Sequence, residues 1–256
     1  MARIFISGSS DGLGLMAGQL LAEQGHKVVL HARNDARAED TKRAAPKADA
    51  VVVGDLETIA GTKSVADEVN ALGPFDAVIH NAAVGYRERN RVTSDGLPHV
   101  FAINTLAPYV LTALVGKLKR LVYLSSGMHH YADANLDDIL WRKRSWNGST
   151  AYAESKLHDV ILAFAAARLW PDVLSNALEP GWVPTKMGGA GAPDDITQAH
   201  LTQVWLATSD DPAARTTGGY FHHMKQRPPN PQARDVAIQD RLLAICADIS
   251  GVELAH

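Results

Sequence analysis

The stretch of sequence that decides the fold lies near the start of the chain and reads Arg3-Ile4-Phe5-Ile6-Ser7-Gly8-Ser9-Ser10-Asp11-Gly12-Leu13-Gly14. A short apolar run leads into a glycine-rich turn, and residues 15–24 after it have the pattern of a helix. Glycines let a backbone approach a pyrophosphate, and a helix N-terminus presents free N–H groups. The spacing G-x-x-x-G-x-G therefore predicts a dinucleotide site, although an ordinary turn between strand and helix has the same outline.

The end of the second predicted strand, Lys27–Ala32, bears on the choice of dinucleotide. NAD sites place an acidic residue there to bind the ribose 2′-hydroxyl. This chain has Ala32 followed by Arg33, whose guanidinium can bind a 2′-phosphate. The sequence thus favours NADP(H) over NAD(H). Arg33 as a solvated loop charge is the alternative, and Asp11 adds an opposing negative charge.

A second informative stretch is Tyr152-Ala153-Glu154-Ser155-Lys156, at the start of a predicted helix. Tyr152 and Lys156 are four residues apart, so they share one helix face. A nearby ammonium favours the phenolate, and we expect the pKa of Tyr152 to fall by roughly 2–3 units. That shift would make Tyr152 a proton donor near neutral pH. Alone, the spacing also fits a surface tyrosine packed on a lysine stem.

The remaining pattern is an alternation of short apolar runs and helical segments. Runs typical of strands begin near Ile4, Val28, Val51, Ala77, Leu121 and Val173, with a further short strand near Tyr220-Phe221. Predicted helices cover Leu15–Gln24, Thr62–Leu72, Leu97–Leu118, Ala151–Trp170, Thr197–Thr208 and Ala233–Ile249. The alternation predicts an α/β fold: a single Rossmann-type domain over residues 1–256, with a doubly wound parallel sheet and helices on both faces.

Composition excludes several classes of protein. The 256 residues can bury one large core, and 46% hydrophobic residues exclude global disorder. A net charge of −3 gives no reason to expect nucleic-acid binding. The single cysteine, Cys246, fits a reducing compartment, and no apolar run reaches the roughly 18 residues of a spanning helix. We expect a cytoplasmic protein without membrane anchor. The pairs His129-His130 and His222-His223 lack metal-ligand spacing, so no metal site is predicted.

In combination these motifs resemble the short-chain dehydrogenase/reductase family along nearly the whole chain. The resemblance adds to the glycine-rich turn the segments Asp55-Leu56, Asn81-Ala82-Ala83-Val84-Gly85, Asn104, Ser125-Ser126 and Pro180-Gly181-Trp182-Val183-Pro184-Thr185. It implies a catalytic set of Asn104, Ser126, Tyr152 and Lys156. It implies cofactor contacts from Ser7, Gly8, Ser10, Asp11, Gly12, Leu13, Gly14, Arg33, Asp55, Leu56, Asn81, Ala82, Ala83, Tyr152, Lys156, Pro180, Gly181, Val183 and Thr185.

One departure from the family pattern is informative. The 25 residues between Ser126 and Tyr152 form an insert that is long for the family core. It resembles the retinol-dehydrogenase-like and WW-domain-oxidoreductase-like branch. We expect Trp141 and Trp146 to anchor this insert. It would either flank the substrate mouth or only pack on the outer helices, and residues 181–193 would form a mobile substrate loop.

The resemblance implies an NADP-dependent enzyme that interconverts an alcohol and a carbonyl, with a hydrophobic small molecule as substrate. Two alternatives stay open: an NADP-binding sensor or scaffold without turnover, and a lyase or epimerase that retains its nicotinamide. Family members are often homodimers or homotetramers, which an insert can prevent.

Overall fold

The computed structural model describes residues 1–116 and 118–254, which form an eight-stranded sheet in the order β3-β2-β1-β4-β5-β6-β7-β8. The strands are β1 Arg3–Ile6, β2 Lys27–Ala32, β3 Ala50–Val53, β4 Ala77–His80, β5 Arg120–Leu124, β6 Leu174–Glu179, β7 Gly219–His222 and β8 Lys225–Gln226. All neighbouring strands pair in parallel except β8, which is antiparallel to β7.

Helical segments connect the strands. They are α1 Gly12–Glu23, α2 Asp35–Ala44, α3 Ile59–Ala71, α4 His99–Phe101, a π-helical segment Ala102–Leu106, α5 Ala107–Leu114, a 3-10 turn Gly127–Tyr131, α6 Gly148–Leu169, α7 Ile196–Ala199, α8 Leu201–Thr208, a 3-10 turn Pro231–Arg234 and α9 Val236–Ser250. Several begin at a side-chain cap, such as Asn34, Thr58 and Asn147, whose oxygens accept a backbone N–H from the first turn.

The core has two layers because successive strand residues point to opposite faces of the sheet. Phe5 and Val29 lie in the layer under α3, α5, α6 and α9. Ile4, Ile6 and Leu30 lie in the other layer, under α1 and α8. The doubly wound α/β architecture predicted from the sequence is confirmed.

Some elements differ from the sequence-based expectations. Helix α2 and strand β8 were not predicted, because α2 buries only Ala38 and Thr41 and both residues of β8 are exposed. The helix expected over Leu97–Leu118 starts at His99, passes through a π segment and ends at Leu114; residue 117 of that prediction lies outside the described residues. The helix expected over Thr197–Thr208 is divided at His200.

The strand order places the site. The order reverses between β1 and β4, so the connections leaving these two strands diverge at their carboxyl ends. The residues after β5 and β6 reach the same edge of the sheet. Ligands of open parallel sheets bind in the crevice at such a point.

Candidate active site

The glycine-rich turn after β1 packs directly on the segment after β4. A methyl group on Gly8 would lie 2.5 Å from Ala82 Cα, and one on Gly14 would lie 2.4 Å from the Asn81 amide. Asn81 Nδ2 donates to the carbonyls of Ser7 and Gly8 at 3.1 and 2.8 Å. The Ser7 hydroxyl accepts from the backbone N–H groups of Asn81 and Ala82. The structure thus brings together two segments that were identified separately in the sequence.

A buried histidine, not singled out from the sequence, fixes the shape of this turn. His31 Nδ1 accepts the Gly8 N–H at 2.9 Å, and its Nε2 donates to the Gly54 carbonyl at 2.8 Å. Burial lowers the pKa of His31, in keeping with the neutral ring that this bonding requires.

The end of the turn has features that fit a bound pyrophosphate. Gly12 begins α1 with φ +55° and open space beside its Cα. The Asp11 side chain caps no N–H of α1, so the first turn of the helix keeps free donors. Asp11 instead contacts two cations, Arg37 Nη2 at 2.6 Å and Lys186 Nζ at 2.8 Å. Although burial alone raises the pKa of Asp11, the hydrogen bonds from both cations lower it overall.

The two cations that contact Asp11 in the glycine-rich turn, Arg37 and Lys186, were not predicted from the sequence. Arg37 also donates to Ser10 Oγ at 3.2 Å, although the sequence pointed to Arg33. Arg33 is exposed at the end of β2, after the buried Ala32. Lys186 reaches the turn from the loop after β6, and no local pattern in the sequence connects it to Asp11.

The expected adenine pair divides between surface and core. Asp55 is exposed at the carboxyl end of β3, where its carboxylate accepts the Glu57 N–H at 3.0 Å. Leu56 is buried in the core layer under α3. Ala83 follows Ala82 on the same edge and is half-buried.

Tyr152, Ser126 and Lys156 converge at the centre of the edge. Tyr152 is 7% exposed, and the neighbouring Ser126 hydroxyl acts to lower its pKa. Lys156 Nζ lies 5.8 Å from the centroid of the Tyr152 ring. The expected net fall in the Tyr152 pKa is wrong for this structure: burial raises it, and this outweighs the lowering by Lys156 and Ser126. The direction of the Lys156 effect agrees with the expectation.

The ammonium of Lys156 has a partner that the sequence reasoning missed. Its Nζ donates to Asp159 Oδ2 at 2.8 Å and to the Leu124 carbonyl at 2.7 Å. Lys156 is 3% exposed and Asp159 is 2% exposed. Their spacing on α6 could have indicated the contact, but nothing in the sequence showed that Asp159 is buried.

Asn104 lies in the π-helical segment, and both N–H donors of its side chain are bound to protein groups. Its Oδ1 accepts the Val84 N–H at 2.8 Å, and its Nδ2 donates to the Val84 carbonyl and to Ser155 Oγ, both at 3.0 Å. Asn104 thus joins the segment after β4 to α6, directly behind Tyr152.

Two loops meet above Tyr152. The Tyr86 ring packs edge-on against Tyr152 with centroids 6.2 Å apart, and its hydroxyl donates to the Gly188 carbonyl at 3.5 Å. A methyl group on Gly85 would lie 2.7 Å from Met187 Cγ. The segment after β4 and the predicted substrate loop therefore form a common roof.

The loop after β6, predicted to contact substrate, is held at its base by Asp194. The Asp194 carboxylate accepts the Trp182 N–H at 2.6 Å and leaves no room for a side chain on Gly181, where φ is +88°. Pro180 precedes this bend, and Val183 is buried behind it. Thr185 Oγ1 accepts the Gly188 N–H at 3.1 Å and closes a compact turn.

The insert between Ser126 and Tyr152 packs on α6. Arg144 makes two bonds to Glu154, at 2.6 and 3.0 Å, and lies over the Trp141 ring at 3.8 Å. Trp141 and Trp146 contact each other with centroids 5.1 Å apart. Trp146 Nε1 donates to the Glu88 carbonyl at 3.1 Å, which ties the insert to the segment that carries Tyr86.

The histidines of the insert have a structural setting. His129 is fully buried; its Nδ1 donates to the Ser126 carbonyl at 2.8 Å, and its Nε2 accepts the Asn230 N–H at 3.2 Å. His129 thus braces the backbone of Ser126, while His130 is exposed. Among residues 1–116 and 118–254, no group of three or more His, Cys, Asp or Glu is arranged to hold a metal ion. Within the same part of the chain, every helix is too short or too polar to cross a bilayer.

Proteins of known sequence are similar to this chain along nearly its whole length. A family model described as short chain dehydrogenase matches residues 2–127. An uncharacterized oxidoreductase of Emericella nidulans is 46% identical over 98% of this chain and 98% of its own. A short-chain dehydrogenase of Gibberella zeae is 40% identical over 99% of both chains. The chain belongs to the short-chain dehydrogenase/reductase family. Human retinol dehydrogenase 13 is 28% identical over 98% of this chain and 85% of its own, which is consistent with the resemblance to the retinol-dehydrogenase-like branch.

Solved structures agree on the fold. An uncharacterized protein of Mycobacterium paratuberculosis superposes with a TM-score of 0.86 at 22% identity, covering 100% of this chain and 96% of that one. A blue fluorescent protein from a metagenomic library, in complex with NADPH, gives a TM-score of 0.70 at 19% identity over 86% of this chain and 95% of that one. The family is one of oxidoreductases, and a nicotinamide cofactor follows from membership.

Proposed function

We propose that the protein is an NADP(H)-dependent oxidoreductase that interconverts an alcohol and a carbonyl. One observation carries the proposal: Tyr152, Ser126 and Lys156 converge beside the glycine-rich turn, at the carboxyl edge where β1 and β4 diverge. A proton donor thereby lies next to the crevice in which this fold binds its dinucleotide.

The chemistry divides between cofactor and protein. NADPH, when bound, supplies the hydride that reduces a carbonyl carbon. Tyr152 then donates its phenolic proton to the carbonyl oxygen, on which negative charge develops. The Ser126 hydroxyl donates a hydrogen bond that strengthens as this charge grows. Lys156 lowers the pKa of Tyr152 against the opposing effect of burial.

Asn104 supports this set from behind. We propose that it maintains the path by which Tyr152 regains its proton. Since the side chain is engaged by Val84 and Ser155, the water that such a path needs would be held by the main chain of the π-helical segment. A π turn shifts the backbone hydrogen-bond register and is frequent at functional sites.

The preference for NADP(H) is supported by positive charge at the adenosine end. Arg33 and Arg37 lie beyond β2, and Lys186 reaches the same turn. Two carboxylates of the proposed cofactor residues, Asp11 and Asp55, stand against these three cations, and Asp11 already pairs with Arg37 and Lys186. The structural neighbour in complex with NADPH has the same fold, which accommodates that cofactor.

The substrate proposed is a hydrophobic small molecule with a carbonyl or alcohol group. Tyr86 packs on Tyr152, Met187 lies against Gly85 in the same roof, and Trp182 is 53% exposed on the loop after β6. The curated relatives include retinol dehydrogenases and a ketoreductase named for daunorubicin C-13.

The insert would flank the substrate mouth through the bond between Trp146 and Glu88. Light scattering would show whether the protein assembles into a homodimer or a homotetramer.

The direct test is a substrate screen with purified protein. Oxidation of NADPH and NADH would be followed optically against aldehydes, ketones and quinones of graded size. We expect NADPH oxidation with at least one hydrophobic carbonyl. NADPH binding without turnover on the whole panel would favour a sensor or scaffold, whereas product formation without net change in the cofactor would favour a lyase or epimerase.

A further inference from the structure

A buried ion pair lies behind Tyr152 on the same stripe of α6. Tyr152, Lys156 and Asp159 occupy positions i, i+4 and i+7, which coincide on one helix face. The Lys156 ammonium donates to Asp159 at 2.8 Å, and both side chains are 3% exposed. A carboxylate therefore contacts the cation on which the acidity of Tyr152 depends.

The hydrogen bonds of Lys156 account for its position. An ammonium has three N–H donors. Two are taken by protein acceptors, the Leu124 carbonyl of β5 and Asp159. One donor remains for a further group, and the Tyr152 ring lies 5.8 Å from the same nitrogen. Without Asp159, the flexible four-carbon stem of Lys156 would be fixed by a single carbonyl.

Asp159 also acts on Tyr152 through its charge. It raises the pKa of Tyr152, and Tyr86 does the same from the segment after β4, whereas Lys156 and Ser126 lower it. The effective charge near the phenol is therefore that of a Lys156–Asp159 pair rather than of a free ammonium.

The opposite side of Asp159 faces the sheet. Tyr123 of β5 shares its hydroxyl with Thr112 of α5 at 2.6 Å, and the ring of His80 from β4 packs on Tyr123 with centroids 4.5 Å apart. Asp159 raises the pKa of Tyr123, in the same direction as burial. Burial also raises the pKa of Asp159 itself, to about 6, against the lowering by Lys156. Tyr123 and His80 stay neutral, so Lys156 is the counter-charge that faces this carboxylate.

We propose that Asp159 is a positioning residue that holds the Lys156 ammonium and sets how strongly it acidifies Tyr152. The inference rests on the proposed function, because it takes from there the roles of Tyr152 and Lys156. It adds a further charged group to the set behind the reacting atoms, without contact to substrate.

The first test is the pH profile of carbonyl reduction by Asp159→Asn. Asparagine keeps the size of the side chain and an oxygen for Lys156, but it removes the negative charge. The alkaline limb of kcat/KM, where Tyr152 loses its proton, should move to lower pH by on the order of one unit. Asp159→Glu should restore most of the wild-type profile. The control Asp49→Asn removes an exposed carboxylate that pairs with Arg3 and should leave the profile unchanged. Superimposable profiles of wild type and Asp159→Asn would overturn the proposal.

The second test needs no activity. Thermal unfolding at pH 8 would be measured for Lys156→Met, Asp159→Asn and the double variant. Lys156→Met leaves a buried carboxylate without its cation. It should lower the melting temperature by about 2–4 °C more when Asp159 is present than when Asp159→Asn has already removed the carboxylate. Additive effects would refute the pairing. If the enzyme is active and the Asp159→Asn pH profile matches that of the wild type, only the role of Asp159 is refuted. If no substrate is turned over but the melting temperatures of the single and double variants are non-additive, only the proposed function is refuted.

Discussion

At the scale of single residues, two arginines near the carboxyl end of β2 differ in their surroundings. Arg33 is exposed, whereas Arg37 bonds Ser10 and Asp11 within the glycine-rich turn. A phosphate on the ribose would offer Arg37 an anion in addition to Asp11. Under the proposed preference for NADP(H), both arginines would contribute positive charge for the 2′-phosphate.

We expect replacement of Arg33 and Arg37 by alanine to weaken NADPH binding about 10–100-fold, since charge-assisted bonds to phosphate contribute about 1–3 kcal/mol. NADH binding should change little. Fluorescence titration of both cofactors measures the difference. Arg43→Ala is the matched control, because Arg43 is an exposed arginine of α2 paired with Asp40 at 2.5 Å. Wild-type protein that binds NADH at least as tightly as NADPH would refute the assignment.

At the scale of elements, the insert is held to α6 by an ion pair with a buried carboxylate. Glu154 is 3% exposed and receives two bonds from Arg144 and one from Asn135. The Arg144 guanidinium is itself bonded by Asp138 and stacked on Trp141. Trp146 contacts the body through the Glu88 carbonyl, and Arg144, between the two tryptophans, adds an ion pair to α6.

Arg144→Met should therefore lower the free energy of unfolding by about 1–3 kcal/mol, because Glu154 would lose its cation while staying buried. Urea unfolding followed by circular dichroism measures this. Arg142→Met, an exposed position in the same segment, should change stability by less than about 0.5 kcal/mol. Equal stabilities for both variants would show that the Arg144–Glu154 pair does not fasten the insert.

The elements that could be predicted from the sequence are those with local signals. The turn at Gly8–Gly14 and the strands before it and after it follow from glycine spacing and apolar runs. Tyr152 and Lys156 follow from helix periodicity. The partners of these groups could not be derived, because Lys186 and Tyr86 reach the site from distant segments. The depth at which Tyr152 and Asp159 are buried depends on packing by the whole sheet, and that burial reverses the expected direction of the Tyr152 pKa.

At the scale of the whole molecule, the core contains several neutral histidines. His158 Nδ1 accepts from the Thr105 hydroxyl and its Nε2 donates to the Ala134 carbonyl, and burial lowers its pKa to about 4. Burial likewise lowers the pKa of His129 to about 4 and that of His80 to about 3. The unfolded chain binds protons on these rings more readily than the folded protein does.

Stability should consequently fall as the pH decreases from about 6.5 toward 4, by about 3 kcal/mol for a ring such as His158. The sign follows because the folded pKa lies below the unfolded one. Asp159 opposes this trend, since its raised pKa favours the folded state at low pH. Urea unfolding at pH 7 and pH 5 measures the difference, with exposed His130→Gln as a control that should retain the wild-type slope. A stability that rises steadily from pH 7 to pH 5 would contradict the prediction.

The central claim is that Tyr152 protonates a substrate oxygen beside bound NADPH. The most direct test compares NADPH turnover and NADPH affinity in Tyr152→Phe, which removes the hydroxyl but keeps the ring against Tyr86. We predict that kcat falls about 10²–10⁴-fold while NADPH affinity is largely kept. Tyr131→Phe, at a position 96% exposed, should behave as wild type. Retention of most of the wild-type kcat by Tyr152→Phe would contradict the account.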